Sequence, residues 1–137
     1  MRIVLDTNVL VSALLNPSGN PGQVLVLIAT RQVMILLNER VLYEYRDVLR
    51  RPKFGFEEDF VDGVLAFLDQ IAEHVVAEPL SFSIPDPDDR PFLEVALSGE
   101  AVVLVTGNKK DYGKPSHGKL KILSPSEFLQ LWNSDRN

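Results

Sequence analysis

Short, almost wholly apolar runs recur along this chain between stretches of helical periodicity, and that alternation limits the fold more than any other feature. The runs are Ile3-Leu5, Val33-Leu36, Val75-Ala77, Val102-Val105 and Leu120-Leu123. A strand with one wet face alternates apolar and polar residues, so strands without polar positions must be covered on both faces. Helical patterns lie between them, near Val9-Leu15, Pro21-Arg31, Glu39-Arg50, Glu57-Glu73, Asp89-Ser98 and Ser126-Trp132. This order predicts an α/β fold in which helices pack on a parallel sheet. Asn38 before "ERVLYEYRDVL" is the expected N-cap of its helix, and Pro52 stops that helix because its ring cannot continue the ladder. Phe60, Val64, Phe67, Leu68 and Ile71 recur at helical spacing and predict one buried stripe. Proline and glycine mark turns at Asn16-Gly22 and Ile84-Pro91.

With 137 residues and 45% hydrophobic content, the expectation is a single domain spanning 1–137 with an ordinary core and no internal repeat or linker. No segment approaches the roughly 18 consecutive apolar residues of a membrane span. The chain starts on a strand-like run instead of a signal peptide, so the expected location is the cytoplasm, with no membrane partner. The absence of cysteine excludes disulfides, thiolate metal sites and a cysteine nucleophile.

A net charge of −5 argues against nucleic acid only until its distribution is read. Residues 1–56 carry seven basic and four acidic side chains, residues 57–100 one and twelve, and residues 101–137 six and three. Two basic flanks therefore border an acidic middle. Arg46, Arg50, Arg51 and Lys53 form one group and Lys109, Lys110 and Lys114 another, as a grip on a phosphate backbone requires. Solvated helix and loop charges are the plainer reading of the same residues.

Ligands of open α/β sheets gather at the carboxyl ends of the strands. Asp6 follows the run Ile3-Val4-Leu5, and Thr7 and Asn8 follow it with side chains able to cap the next helix or hold the carboxylate. Thr106, Gly107 and Asn108 repeat that arrangement after Val102-Val105. Glu44, Asp89 and Asp111 fall where the chain passes the same sheet edge again. Carboxylates gathered there repel one another unless a hard cation sits between them, which points to Mg²⁺ or Mn²⁺ chemistry on phosphate. Read singly, Asp6 is an ordinary N-cap and Glu44, with Asp47 three residues on, an exposed helix charge.

Four segments carry a family resemblance in register: "IVLDTNVLVSALL", "NERVLYEYRDVLRRPKF", "IPDPDDRPFLEVALSGEA" and "LVTGNKKDY". Together, over residues 2 to 112, they resemble the PIN-domain family of ribonucleases, and within it the small bacterial toxin components of toxin–antitoxin pairs of the VapC type. The final "ILSPSEFLQLW" is similar to the ending of that group. The resemblance implies a three-layer α/β/α sandwich around a five-stranded parallel sheet, with the acidic residues at its carboxyl edge. It implies an Mg²⁺- or Mn²⁺-dependent endoribonuclease, a hydrolase leaving a 5′-phosphate and a 3′-hydroxyl, in many cases a dimer, with a cognate antitoxin as partner.

Residue by residue, Asp6 matches the first family carboxylate, Glu44 the helical glutamate and Asp89 the aspartate opening the next helix; these are the implied metal ligands. Many members have aspartate where this chain has Asn108, and Asp111 matches a further acid a few positions later. Thr7, Asn8, Ser12, Thr106 and Asn108 are candidates to fix ligand geometry or touch substrate. Arg46, Arg50, Arg51, Lys109 and Lys110 are candidates for RNA contact. Of the three acids in "DPDDRP", Asp89 ranks above Asp86, which is expected to cap the turn or support a ligand, and Asp88 is expected to face solvent. His74 and His117 receive no catalytic role. A dehalogenase-type phosphatase needs a second aspartate where Asn8 stands, and a dinucleotide fold needs a G-x-G-x-x-G that no strand precedes. The remaining alternative is a PIN-like module that binds RNA or protein without cutting.

Overall fold

Ile3, Val4 and Leu5 are each fully buried although their side chains point alternately to opposite faces, so the first strand is covered on both sides. The same holds for Ile35, Leu36 and Leu37 and for Val103, Leu104 and Val105. In the computed structural model, which describes residues 1–135, the strands are β1 (Arg2–Leu5), β2 (Met34–Leu37), β3 (Glu73–His74), β4 (Val103–Val105), β5 (Ser116–His117) and β6 (Leu120–Leu123). The helices are α1 (Thr7–Leu15), α2 (Asn20–Ala29), α3 (Glu39–Leu49), α4 (Glu58–Ile71), α5 (Arg90–Ser98) and α6 (Pro125–Asp135). They sandwich the sheet in three layers. Among the described residues no helix is long and apolar enough to cross a membrane.

The strand order is β3-β2-β1-β4-β6-β5. Every pairing is parallel except β5 with β6, so the five parallel strands implied above are present and a two-residue antiparallel strand extends the sheet beyond them. The chain lays down β1, β2 and β3 in one direction, then crosses back to place β4 on the other side of β1. The reversal opens a crevice between the carboxyl ends of β1 and β4, where an α/β sheet characteristically holds its ligand.

Several expectations need correction. The third strand is made by Glu73 and His74, which pair with Leu36 and Leu37, while Val75–Ala77 only continues the extended chain and Val76 is 94% exposed. An ion pair between Arg2 and Glu73 across the sheet accounts for a charged residue in that strand. The buried stripe of α4 is Val61, Leu65 and Leu68; Phe60 and Phe67 are exposed and line a shallow apolar groove with Leu14 and Leu25. The acidic first turn of α4, Glu58 and Asp59, suits the positive end of a helix. The N-cap of α3 is as expected, with Asn38 Oδ1 accepting from the Val41 N–H at 2.9 Å. A reciprocal pair caps α6: Ser124 Oγ accepts from Glu127 N–H and Glu127 Oε1 from Ser124 N–H.

Candidate functional site

Asp6 leaves β1 with its N–H still bonded to the carbonyl of Val105, 2.9 Å away, so the ladder runs one residue past the strand and brings Asp6 to the β1/β4 crevice. Its side chain is 3% exposed, and both carboxylate oxygens are hydrogen-bonded. Oδ1 accepts from the Thr7 N–H at 2.7 Å, while Oδ2 accepts from the Thr106 hydroxyl at 2.8 Å and the Tyr112 hydroxyl at 2.9 Å. The N-cap reading holds, since Asp6 accepts from the Thr7 N–H, and the same carboxylate also takes two hydroxyl donors from outside its helix. Burial pushes the carboxyl upward in pKa, against the hydrogen bonds from Thr106, Tyr112 and Thr7 that favour the anion.

Thr106 is fixed in its turn: its Oγ1 accepts from the Asn108 N–H at 3.1 Å and so donates toward Asp6. Asn8 Oδ1 accepts from the Gly107 N–H at 2.9 Å, tying the first turn of α1 to the end of β4. A side chain at Gly107 would crowd that contact, since a Cβ there would lie 3.2 Å from Asn8 Oδ1. Ser12 is exposed one turn further along α1 and makes no side-chain hydrogen bond among the described residues.

Asp86, Asp89 and Asp111 hang from two loops. One leads through a short 3₁₀ turn, Pro87–Asp89, into α5, and carries Asp86 and Asp89. Arg90 braces it by donating to the carbonyls of Phe82 and Leu80. The other is the 3₁₀ turn Lys109–Tyr112, closed by Gly113 at φ +81°, a conformation that favours glycine. A hydrogen bond from the Asp86 N–H to the Asp111 carbonyl, 3.3 Å, joins the loops. Carboxylate oxygens of Asp86, Asp89 and Asp111 then lie within 4.8 Å of one another. Burial, followed by the charge of Asp6 and by Asp111 and Asp86, pushes the Asp89 carboxyl up to about 8.

Three of the four carboxylates read from the sequence, Asp6, Asp89 and Asp111, therefore share one electrostatic environment, and Asp86 joins them. Asp86 also caps its turn through the Asp88 N–H, and Asp88 is exposed, both as expected. Glu44 stands apart from that group of three: it is half-buried and pairs with Arg40 at 3.3 Å. Its neighbour Tyr45 anchors α3 at the site, with its hydroxyl donating to the Leu5 carbonyl at 2.6 Å beside Asp6. Burial and the nearby Asp6 charge push the Tyr45 phenol up, so it stays a donor. Tyr112 was not anticipated; the signal was its place directly after Asp111.

Among the basic candidates, Arg50 faces Asp62 and Glu58, Arg51 faces Asp47, and Lys109 meets Glu127 at 2.8 Å. Arg46 and Lys110 are exposed and form no ion pair among the described residues.

Fold and site together define an α/β protein with an acid-lined crevice at the switch point of its sheet. Residues 2–110 match the PIN domain family, and the chain belongs to it. An uncharacterized protein of Methanocaldococcus jannaschii is 31% identical over 144 residues, covering 95% of this chain and 90% of its own. The crystal structure of VapBC2 from Rickettsia felis bound to a DNA fragment from their promoter contains a chain of similar fold, at TM-score 0.55 and 17% identity, covering 89% of this chain and 97% of that one.

Proposed function

We propose that this protein is an Mg²⁺- or Mn²⁺-dependent endoribonuclease that hydrolyses RNA phosphodiester bonds. The observation that carries the reading is the convergence of Asp86, Asp89 and Asp111 within 4.8 Å at the crevice that Asp6 occupies. The donor set is all oxygen and anionic, which suits a hard divalent cation. Asp89 is pushed up by burial first and then by the charges of Asp6, Asp111 and Asp86, and a cation would offset both the lost solvation and the repulsion. Without one, the same acids repel a phosphate.

Asp6, Glu44 and Asp89 are the proposed ligands, with Asp111 and Asp86 completing the acidic face. When bound, the ion supplies a Lewis acid for a phosphate oxygen and lowers the pKa of a water. The chain's own part is positional. Thr7, Thr106 and Tyr112 hold Asp6 in one orientation, Asn8 ties α1 to the β4 end, and Arg46 and Lys110, the two of the five RNA-contact candidates without an ion pair among the described residues, are placed to meet the RNA backbone. Asn108 and Ser12, both exposed, are candidates for substrate contact.

Membership of the PIN domain family and the likeness to a VapBC2 chain support a toxin role with a separate antitoxin partner; action in the cytoplasm as a homodimer is part of the same proposal. A small reading frame directly upstream is expected for that role, and size-exclusion chromatography with light scattering is expected to give twice the chain mass.

Incubation of labelled single-stranded RNA with the protein tests the activity. Cleavage is expected with Mg²⁺ or Mn²⁺, none with EDTA, and none with the Asp6→Asn or Asp89→Asn variants. RNA retention without cleavage, independent of metal, overturns the enzyme and favours a non-catalytic RNA- or protein-binding module.

A further inference from the structure

His117 is one of the few buried polar side chains among the described residues, and nothing in the proposed chemistry uses it. It lies on β5, outside the acidic group. Its Nε2 sits 2.9 Å from the Tyr112 carbonyl, which can only accept, so the ring nitrogen donates. Its ring stacks on Phe82, with centroids 5.7 Å apart and planes 15° from parallel. Phe82 belongs to the loop that carries Asp86 and Asp89, and Tyr112 to the loop that carries Asp111. One histidine thus clamps the two loops together and holds the peptide of the residue whose hydroxyl reaches Asp6.

The hydroxyl contact matters because of how the lone pairs of Asp6 are shared out. Each carboxylate oxygen has two acceptor positions. Oδ2 spends both on Thr106 and Tyr112, whereas Oδ1 spends one on the Thr7 N–H and keeps one. Removing the Tyr112 donor leaves both oxygens with a spare position and the carboxylate with less to hold its rotation. Resting on the metal-dependent reading above, we infer that Tyr112 and His117 are positioning residues: Tyr112 presents Asp6 to the divalent ion through one oxygen, and His117, stacked on Phe82, keeps Tyr112 and both acidic loops in register.

Groups that orient a metal ligand typically change metal affinity by about 10- to 100-fold when removed. Mg²⁺ demands near-octahedral geometry and Ca²⁺ tolerates a loose one. Loss of orientation therefore weakens the two unequally, whereas a general loss of folded structure weakens them alike. Titration calorimetry with Mg²⁺ and with Ca²⁺ on the intact chain makes the test, with thermal melts to confirm that each variant is folded. Tyr112→Phe, which keeps the ring and removes the donor, is expected to lose roughly tenfold in Mg²⁺ affinity and less than about threefold in Ca²⁺ affinity. His117→Phe, which keeps the stack and removes the N–H, is expected to follow it, and His117→Gln, which restores an amide donor, to recover most of the loss. If the unaltered protein binds Mg²⁺ and both phenylalanine variants bind it equally well, or lose Mg²⁺ and Ca²⁺ in equal measure, the positioning role is overturned and the metal reading stands. If the unaltered protein binds neither ion, the metal reading falls and takes this inference with it.

Discussion

Replacing Asp89 with asparagine is expected to stabilise the metal-free protein, and to do so only above mildly acid pH. The carboxyl is raised from an ordinary value near 3.8 to about 8, by burial first and then by the charges of Asp6, Asp111 and Asp86. A raised carboxyl means that the folded state holds its proton more tightly than the unfolded chain, so unfolding becomes easier as pH rises from about 4 to about 8. Taken in full at about 1.4 kcal/mol per tenfold change in proton affinity, the shift would cost about 6 kcal/mol. Because the side chain is half-exposed, solvent screening brings this to roughly 2 kcal/mol. For a chain of this size that corresponds to a melting-temperature difference of about 7 °C. The assay is a set of thermal melts in EDTA at pH 4, 6 and 8.5. Asp89→Asn is expected to match the unaltered protein at pH 4 and to exceed it by several degrees at pH 8.5. Stability curves that run parallel across this range refute the claim that Asp89 is held partly buried and among like charges.

Saturating Mg²⁺ at pH 8 is expected to raise the melting temperature of the unaltered protein, by the equivalent of about 2.7 kcal/mol at a hundredfold excess over Kd, and to leave Asp89→Asn nearly unmoved. Glu44→Gln is expected to weaken Mn²⁺ binding at least tenfold if the carboxylate leaves Arg40 for the ion, and calorimetry showing unchanged affinity removes it from the ligand set. Replacing Arg46 and Lys110 together is expected to flatten the salt dependence of RNA binding by about 1.4 in the log–log slope, while replacing Arg50 and Arg51, already paired, changes it less. Gly22→Ala is expected to destabilise by about 2 kcal/mol in urea unfolding, since a Cβ there would sit 2.0 Å from the Pro17 carbonyl oxygen.

The parts of the fold visible in the sequence are those decided by burial. Ile3-Leu5 and Val103-Val105 are strands that nothing polar interrupts, Leu120-Leu123 is broken only by the exposed Lys121, and Asp6 and Thr106 stand out as the first polar residues after the first two runs. The third strand misled because apolarity at Val75–Ala77 was weighed above register; the backbone pairing that counts falls on Glu73 and His74, whose side chains give no such signal. The two-residue hairpin loop Gly118-Lys119, with Gly118 at φ +60°, was legible in principle from its glycine, but the strand it closes is too short and too polar to show a period. At the site, the part played by Tyr112 and the approach of Asp86, expected as a turn cap or ligand support, to Asp89 and Asp111 are hidden in the sequence for a shared reason. Their roles depend on how two irregular loops meet, through the Asp86–Asp111 backbone bond and the Phe82–His117 stack, and contacts between loops leave no periodic trace in either one. In α4, helical spacing identified an apolar face, but the face is wide enough that Phe60 and Phe67 stand at its open margin.

β1 is hydrogen-bonded on both sides and enclosed on both faces, so the aspartate it delivers cannot be moved without rebuilding the centre of the protein. Asp86, Asp89 and Asp111 ride instead on two connecting segments that no strand ladder fixes. Lengthening, shortening or recharging those two segments would therefore alter the surroundings of a carboxylate whose own place is fixed by the centre of the sheet.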